Sequence, residues 1–335
     1  MELIHPREYY TNYSKKIYFT YLPRQTQFQQ GLLGLQPSKI AGVFHLRYSQ
    51  DRPLKAKRIV LYFKGKTFVR FDEGNEQHKL KQQFLNMSKT IWTSQSEGNF
   101  EDITSLDIPF EFDIPNTSPS TVISMEKTGI GLITYTLQAK IFRVSHLLLL
   151  QHVKAVKCRL DINRWATLPS PDYYPAPFSY GLPKFQCQLL LDQSVFGIGN
   201  VIPLPIKFIL FDMRVCVKKI TVRIKEYHLL KLTLELDNPK SKIIKVSLFE
   251  TIVGGDKVLP VIGSNNEFMV TIKCDLRESF RKIQCDCETP LIDIWHMLKI
   301  KVNMENAGVG HLYMEKEMKI YNILQNDLLV GASDD

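Results

Sequence analysis

The sequence predicts an all-β protein built as two tandem antiparallel β-sandwiches. Three observations predict it. Apolar residues recur at every second position through most of the chain, the period of half-buried strands rather than of helices. Clusters of Gly, Pro, Asn and Asp interrupt these runs at short intervals, as hairpin-connected sheets require. One pattern also occurs twice. "IAGVFHLRYSQDRPLKAKRIVLYFKG" at residues 40–65 and "VIPLPIKFILFDMRVCVKKITVRIKE" at 201–226 each run from an alternating strand through a polar turn into a basic pair and a second alternating strand.

In chain order, "KKIYFTYLP" puts Ile17, Phe19 and Tyr21 on one face, and "GVFHLRY" does the same with Phe44, Leu46 and Tyr48. "KRIVLYFKG" follows with Ile59, Leu61 and Phe63. "IPFEFDIP" aligns Ile108, Phe110, Phe112 and Ile114, and "GLITYTLQAKI" aligns Ile133, Tyr135, Leu137, Ala139 and Ile141. The second half continues in "KFQCQLLL", "IPLPIKF", "KKITVRIKE", "LKLTLEL", "KVSLFE", "FMVTIKC", "HMLKIKV" and "MEKEMKIYNI". Helical spacing is confined to two short candidates, residues 76–89 and 145–153.

A shift of 161 positions superposes Lys57, Arg58, Ile59, Leu61, Phe63 and Lys64 on Lys218, Lys219, Ile220, Val222, Ile224 and Lys225, so inward and outward faces agree throughout. Between the repeats lies "DINRWATLPSPDYYPAPFSYGLP", residues 161–183, rich in proline and aromatics and poor in alternation. The expected organisation is an extension over 1–16, a first sandwich over 17–162, a linker over 163–182, a second sandwich over 183–324 and a short tail over 325–335.

Composition agrees. A chain of 335 residues with 44% apolar side chains can bury a core, and its length favours two domains. The formal charge of +9 attracts anionic partners, whether inner-leaflet lipid, phosphorylated peptide or nucleic acid. "MELIHPREYY" lacks the basic start and apolar stretch of a signal peptide. The most apolar runs, "HLLLLQHV" and "VIPLPIKFILF", are too short to cross a bilayer, so an intracellular protein is expected.

Catalytic chemistry is not indicated. Cys158, Cys187 and Cys216 stand alone in strand-like runs, where a free thiol is a small buried apolar group. Cys274, Cys285 and Cys287 cluster, but "CDC" is tighter than a zinc-ligand pair. His146 and His152 flank a leucine run without an acidic neighbour and are expected to be ordinary strand or loop histidines. No phosphate-binding glycine loop, H-E-x-x-H or G-x-S-x-G motif occurs. The acidic pairs Asp72–Glu73 and Glu101–Asp102 sit in loop-like contexts. No enzyme and no cofactor is expected.

The order of "GVFHLRYSQDRPLKAKRIVLYFKG", "IPFEFDIPNTSPSTVISMEKTGIGLITYTLQAKI", "GIGNVIPLPIKFILFDMRVCVKKITVRIKE" and "HMLKIKV" resembles the arrestin-domain proteins, in particular the alpha-arrestin or arrestin-related trafficking adaptor branch. The resemblance extends over roughly residues 17–323. Its most specific part is the proline-bounded aromatic strand, the turn over 115–120 and the glycine-led strand from Gly129. It implies two tandem immunoglobulin-like β-sandwiches of the arrestin fold without catalysis. It also implies a cytoplasmic adaptor, peripheral at the plasma membrane or endosomes, that binds cytoplasmic tails of membrane proteins and brings in sorting machinery, often a HECT-type ubiquitin ligase.

Lys15 and Lys16 resemble in place and type the lysine pair that holds phosphorylated tails in related arrestins, and two ammonium groups suit a phosphate. Ligase WW domains read Pro-Pro-x-Tyr. Here "SPDYY" keeps Pro171 and Tyr173 but has Ser170 in place of the first proline, and "LQNDLLVGASDD" carries no such motif. Direct recruitment is therefore an imperfect match, and "LPSPDYYPAP" also suits a semi-rigid linker. Lys55, Lys57, Arg58, Lys64, Lys66 and Arg70 are expected to form a solvated strand face, and anionic lipid headgroups are a candidate partner. Nucleic acid is not expected, because basic residues are spread over both halves and balanced nearby by acids, whereas a stacking platform needs aromatics and cations on one surface. The alternative within the same fold superfamily is a retromer-like endosomal coat subunit.

Overall fold

Alternation at period two forces these segments into strands, since only a pleated chain puts every second side chain on one face. The computed structural model describes residues 15–95, 100–144, 151–167, 177–232, 240–254, 266–277 and 283–323. Strands fill most of them and no helix occurs among them, so none is long and apolar enough to cross a membrane. By contacts the chain divides into two compact units, Met1–Arg164 and Trp165–Asp335.

The first unit contains β1 (Ile17–Thr20), β2 (Gln29–Gln30), β3 (Ser38–Arg47), β4 (Leu54–Glu73), β5 (Glu76–Thr93), β6 (Glu101–Ile103), β7 (Ser105–Ile114), β8 (Val122–Glu126), β9 (Gly129–Val144) and β10 (Gln151–Leu160). In one sheet β1, β2 and β7 pair with β3. The other runs β10-β9-β4-β5, with β6 on β4 and β8 on β9. Ile17, Phe19, Phe44, Leu46, Phe110 and Phe112 of the first sheet are buried, as are Ile59, Leu61, Phe63, Tyr135, Leu137 and Ile141 of the second. The rings of Phe112 and Phe63 lie 6.0 Å apart, so the two apolar faces meet as in a sandwich. Within the first sheet Gly42 is required between its neighbours: a Cβ there would come within 2.6 Å of the Thr20 carbonyl oxygen of β1 and 3.0 Å of the Phe110 ring of β7.

Two expectations about helices need correction. Residues 76–89 belong to β5, which pairs antiparallel with β4 from Glu73↔Glu76 to Arg58↔Thr93. Gly74, at φ 60°, and Asn75 make the two-residue turn of this hairpin. The register shifts twice, at Ile59/Val60 and at Gly65/Lys66, leaving Ile91 and Phe84 as extra residues on β5. Each bulge resets the alternation. The apolar residues then fall at Leu80, Phe84, Leu85, Met87, Ile91 and Trp92, which imitates a helical period. In the second candidate, Gln151 to Val153 begin β10 and residues 145–150 lie outside the described residues.

The second unit contains β11 (Trp165–Ala166), β12 (Phe178–Leu182), β13 (Phe185–Leu189), β14 (Val195–Gly197), β15 (Val201–Leu210), β16 (Cys216–Lys231), β17 (Ser241–Gly254), β18 (Glu267–Asp275), β19 (Cys287–Glu288), β20 (Ile292–Glu305) and β21 (His311–Ile323). One sheet runs β12-β13-β15-β18 and the other β11-β21-β20-β16-β17, with β14 on β21 and β19 on β20. Phe185, Leu204, Ile206 and Phe208 of one sheet share a single core with Ile220, Val222, Ile224, Leu298 and Ile300 of the other. Named strands pair antiparallel except β11 and β14, both short, which run parallel to β21.

The repeated pattern now has a physical meaning. In each unit it carries the chain from one sheet to the other, β3 to β4 and β15 to β16. The basic pair marks a bulge at the same place in both. Pairing of β4 with β9 skips Lys57, and pairing of β16 with β20 skips Lys218. An unpaired extra residue puts two consecutive polar side chains between inward neighbours, Ala56 and Ile59 in one unit and Val217 and Ile220 in the other.

The ends of the expected linker are held by the units. Gln29, buried, donates from Nε2 to the Asn163 carbonyl and accepts from the Asn163 N–H, both at 2.8 Å. Trp165 and Ala166 pair with β21, and Phe178 to Leu182 pair with β13. Residues 168–176 lie outside the described residues.

Candidate functional site

Lys15 and Lys16 lie in the turn before β1 and are both exposed. Because β1 pairs with β3, Lys16 comes beside the end of β3, where its carbonyl accepts from the Arg47 N–H at 2.8 Å. Its Nζ sits 5.0 Å from the centre of the Tyr48 ring. Lys154 of β10 reaches the same tyrosine, donating from Nζ to its hydroxyl at 3.0 Å and lying 5.7 Å from its ring centre. Elements far apart in sequence thus bring lysines to one corner. Lys154 carried no sequence signal, because it reaches this corner only where β10 of one sheet meets the β1–β3 end of the other. Pro171 and Tyr173 lie outside the described residues.

A second basic surface covers the outward side of the β10-β9-β4 sheet. Ile59, Leu61, Phe63 and Val69 of β4 point into the core, so Arg58, Tyr62, Lys64, Lys66, Phe68 and Arg70 point away from it. The strand pairing sets Lys140 next to Val60, and Gln138 between Tyr62 and Lys157. The outward positions of β4 from Arg58 to Arg70, of β9 from Ile130 to Phe142 and of β10 from Val153 to Lys157 include no acidic residue. The local balance by acids expected from the sequence therefore fails on this face. Partial burial, then the charges of Lys140, Lys66 and Lys157, hold Lys64 below the ordinary lysine value. Arg159, further along β10, lines a crevice with Tyr21, Thr26 and Phe28, and its buried Nε and Nη2 have no hydrogen-bond partner among the described residues.

Aromatic rings share the outward face, but cations already cover them. Tyr62 has Lys64 Nζ at 4.8 Å and Lys140 Nζ at 4.9 Å from its ring centre, and Arg58 lies 4.2 Å from that of Phe142. They are therefore not free platforms for bases.

The second unit buries a charged network that sequence reading missed. Glu226 on β16 accepts from His228 Nε2 at 2.6 Å, from His296 Nε2 at 3.1 Å and from the Gln284 N–H at 2.8 Å. His296 on β20 donates from Nδ1 to Asp286 at 2.6 Å, and the same Asp286 oxygen accepts from the Ile320 N–H at 2.8 Å. All four side chains are buried. Carboxyl groups face both ring nitrogens, an arrangement that favours the doubly protonated, cationic ring of His296. Burial opposes this charge, but the bonds from Asp286 and Glu226 outweigh it and raise its pKa above 6.5. Burial likewise opposes ionisation of Glu226, and the two histidines overcome it, holding its pKa below 4.5. The available signal was "KEYH" on β16, where Glu226 and His228 share the inward face.

Cys285 and Cys287 flank Asp286, and burial pushes each thiol up to about 12. They are protonated at neutral pH and thus weak nucleophiles and ligands. Among the described residues no group of three or more His, Cys, Asp or Glu could hold a metal ion.

No protein-family model matches the chain. An arrestin domain-containing protein of Schizosaccharomyces pombe is 22% identical over 314 residues, covering 88% of this chain and 49% of that protein. The chain thus spans about half the length of the curated relative it matches.

Proposed function

We propose that the chain is a non-enzymatic, arrestin-like adaptor that binds cytoplasmic segments of membrane proteins. The observation that carries this reading is the likeness to an arrestin domain-containing protein over most of the chain. The all-β, sandwich-like architecture supports it, with a sheet-to-sheet crossing and a bulge repeated in each half. On this reading each unit is an immunoglobulin-like sandwich, and the pair forms the arrestin fold. The protein acts peripherally at the plasma membrane or endosomes and links cargo to endocytic sorting or ubiquitination. Tails engage the corner of Lys15, Lys16 and Lys154, where ammonium groups from two elements give a phosphate its charge and its donors. With Ser170 interrupting the WW motif, a HECT-type ligase is reached through another surface or another protein.

The test is to replace Lys15 and Lys16 together by Glu. Binding of phosphorylated cytoplasmic-tail peptides, measured by fluorescence anisotropy, should weaken several-fold. The melting temperature should stay close to the parent's, because exposed charges contribute little to stability. Equal binding by parent and variant would return the pair to the role of solvated turn residues.

A further inference from the structure

The outward face of the first unit's β10-β9-β4 sheet changes character along its length. Its middle is cationic, with Lys66 on the same strand and Lys140 on the neighbouring β9 both close to Lys64. Its far end is apolar. Pairing of β8 with β9 and of β9 with β4 sets Ile123, Leu132 and Phe68 in one row and Met125, Ile130 and Arg70 in the next. Neighbouring strands lie about 4.8 Å apart, so these side chains adjoin. Ile123 is 42% and Met125 61% exposed, which a soluble surface gains nothing from.

We infer that this face docks on an anionic lipid bilayer, with the lysines over the headgroups and Ile123 and Met125 entering the interface. The inference deepens the peripheral-membrane reading above and rests on it. Three features select a bilayer among anionic partners. The cations are spread across neighbouring strands of a pleated sheet, which suits a laterally mobile array of headgroups better than one fixed phosphate. The rings a nucleic acid would stack on are covered by Lys64, Lys140 and Arg58. A bilayer interface also supplies an apolar phase for the exposed end of β8, which neither nucleic acid nor a phosphopeptide offers.

Vesicle co-sedimentation of the full chain tests it. The parent should sediment with vesicles of phosphatidylcholine and phosphatidylserine, should remain in solution with phosphatidylcholine alone, and should be released by added salt. Lys64→Gln with Lys140→Gln should weaken binding about tenfold or more at unchanged melting temperature. Met125→Ser should weaken it several-fold and leave its salt dependence intact. The Lys15→Glu, Lys16→Glu variant should bind vesicles like the parent, which separates failure of this surface from failure of tail binding. Equal sedimentation with both vesicle types, no sedimentation with either, or parent-like binding by the lysine and methionine variants overturns the inference. So does an RNA oligonucleotide that binds the parent tightly and loses that binding in the Lys64→Gln, Lys140→Gln variant.

Discussion

Replacing Glu226 by Ala should lower stability by about 3–5 kcal/mol, because it leaves a buried imidazolium and a second buried histidine without their shared carboxylate. The Gln284 N–H loses its acceptor as well. The cost should depend on pH. His296 has a raised folded pKa, so its contribution is whole below 6.5 and fades as pH rises through the folded value. Glu226 has a lowered folded pKa, so its contribution is whole above 4.5 and fades as pH falls through the folded value. The network therefore stabilises most between these ordinary values of 4.5 and 6.5. Urea unfolding of parent and variant across this range and on either side of it should show their largest gap inside it. A gap of less than about 1 kcal/mol at every pH would mean that the charged network is not a buried unit.

Phe110→Ala should cost about 3–5 kcal/mol, and Phe112→Ala a similar amount. Phe110 is 4% exposed and packs edge-on to Phe19 with ring centres 5.7 Å apart. Phe112 is 5% exposed and meets Phe63 of the opposite sheet. Each truncation removes a large apolar area and leaves a cavity that β7, held along its whole length by its ladder with β3, cannot close. Because the two rings also touch, at 6.4 Å, the double variant should depart from additivity. Unfolding curves that match the parent's would place these residues outside the core and shift the register of β7 by one.

Strand faces were legible where alternation is unbroken. Ile59, Leu61 and Phe63, and their counterparts Ile220, Val222 and Ile224, are fully buried as their period requires. The basic pair was legible as a repeat, but its cause, an unpaired Lys57 or Lys218, appears only with the partner strands β9 and β20 in place. β5 misled because bulged Phe84 and Ile91 shift its apolar residues toward a helical spacing, while its Glu, Gln and Lys residues favour helix locally. Sixteen paired positions against β4 override that weak preference. The site was less legible than the fold. Lys15 and Lys16 are adjacent in sequence, but Lys154 joins them only where the two sheets of the unit meet at Tyr48. An acid-free face is likewise invisible until β4, β9 and β10 lie side by side, because each strand taken alone shows only the usual solvated lysines.

Proximity labelling by the full chain in its native cell tests the adaptor reading most directly. The labelled proteins should be dominated by membrane proteins with cytoplasmic segments, should include sorting or ligase components, and should lose the membrane proteins when Lys15 and Lys16 are replaced by Glu. A labelled set without membrane proteins, or one fixed set of partners that copurifies in constant proportion and ignores the substitution, would contradict it and point to a coat subunit instead.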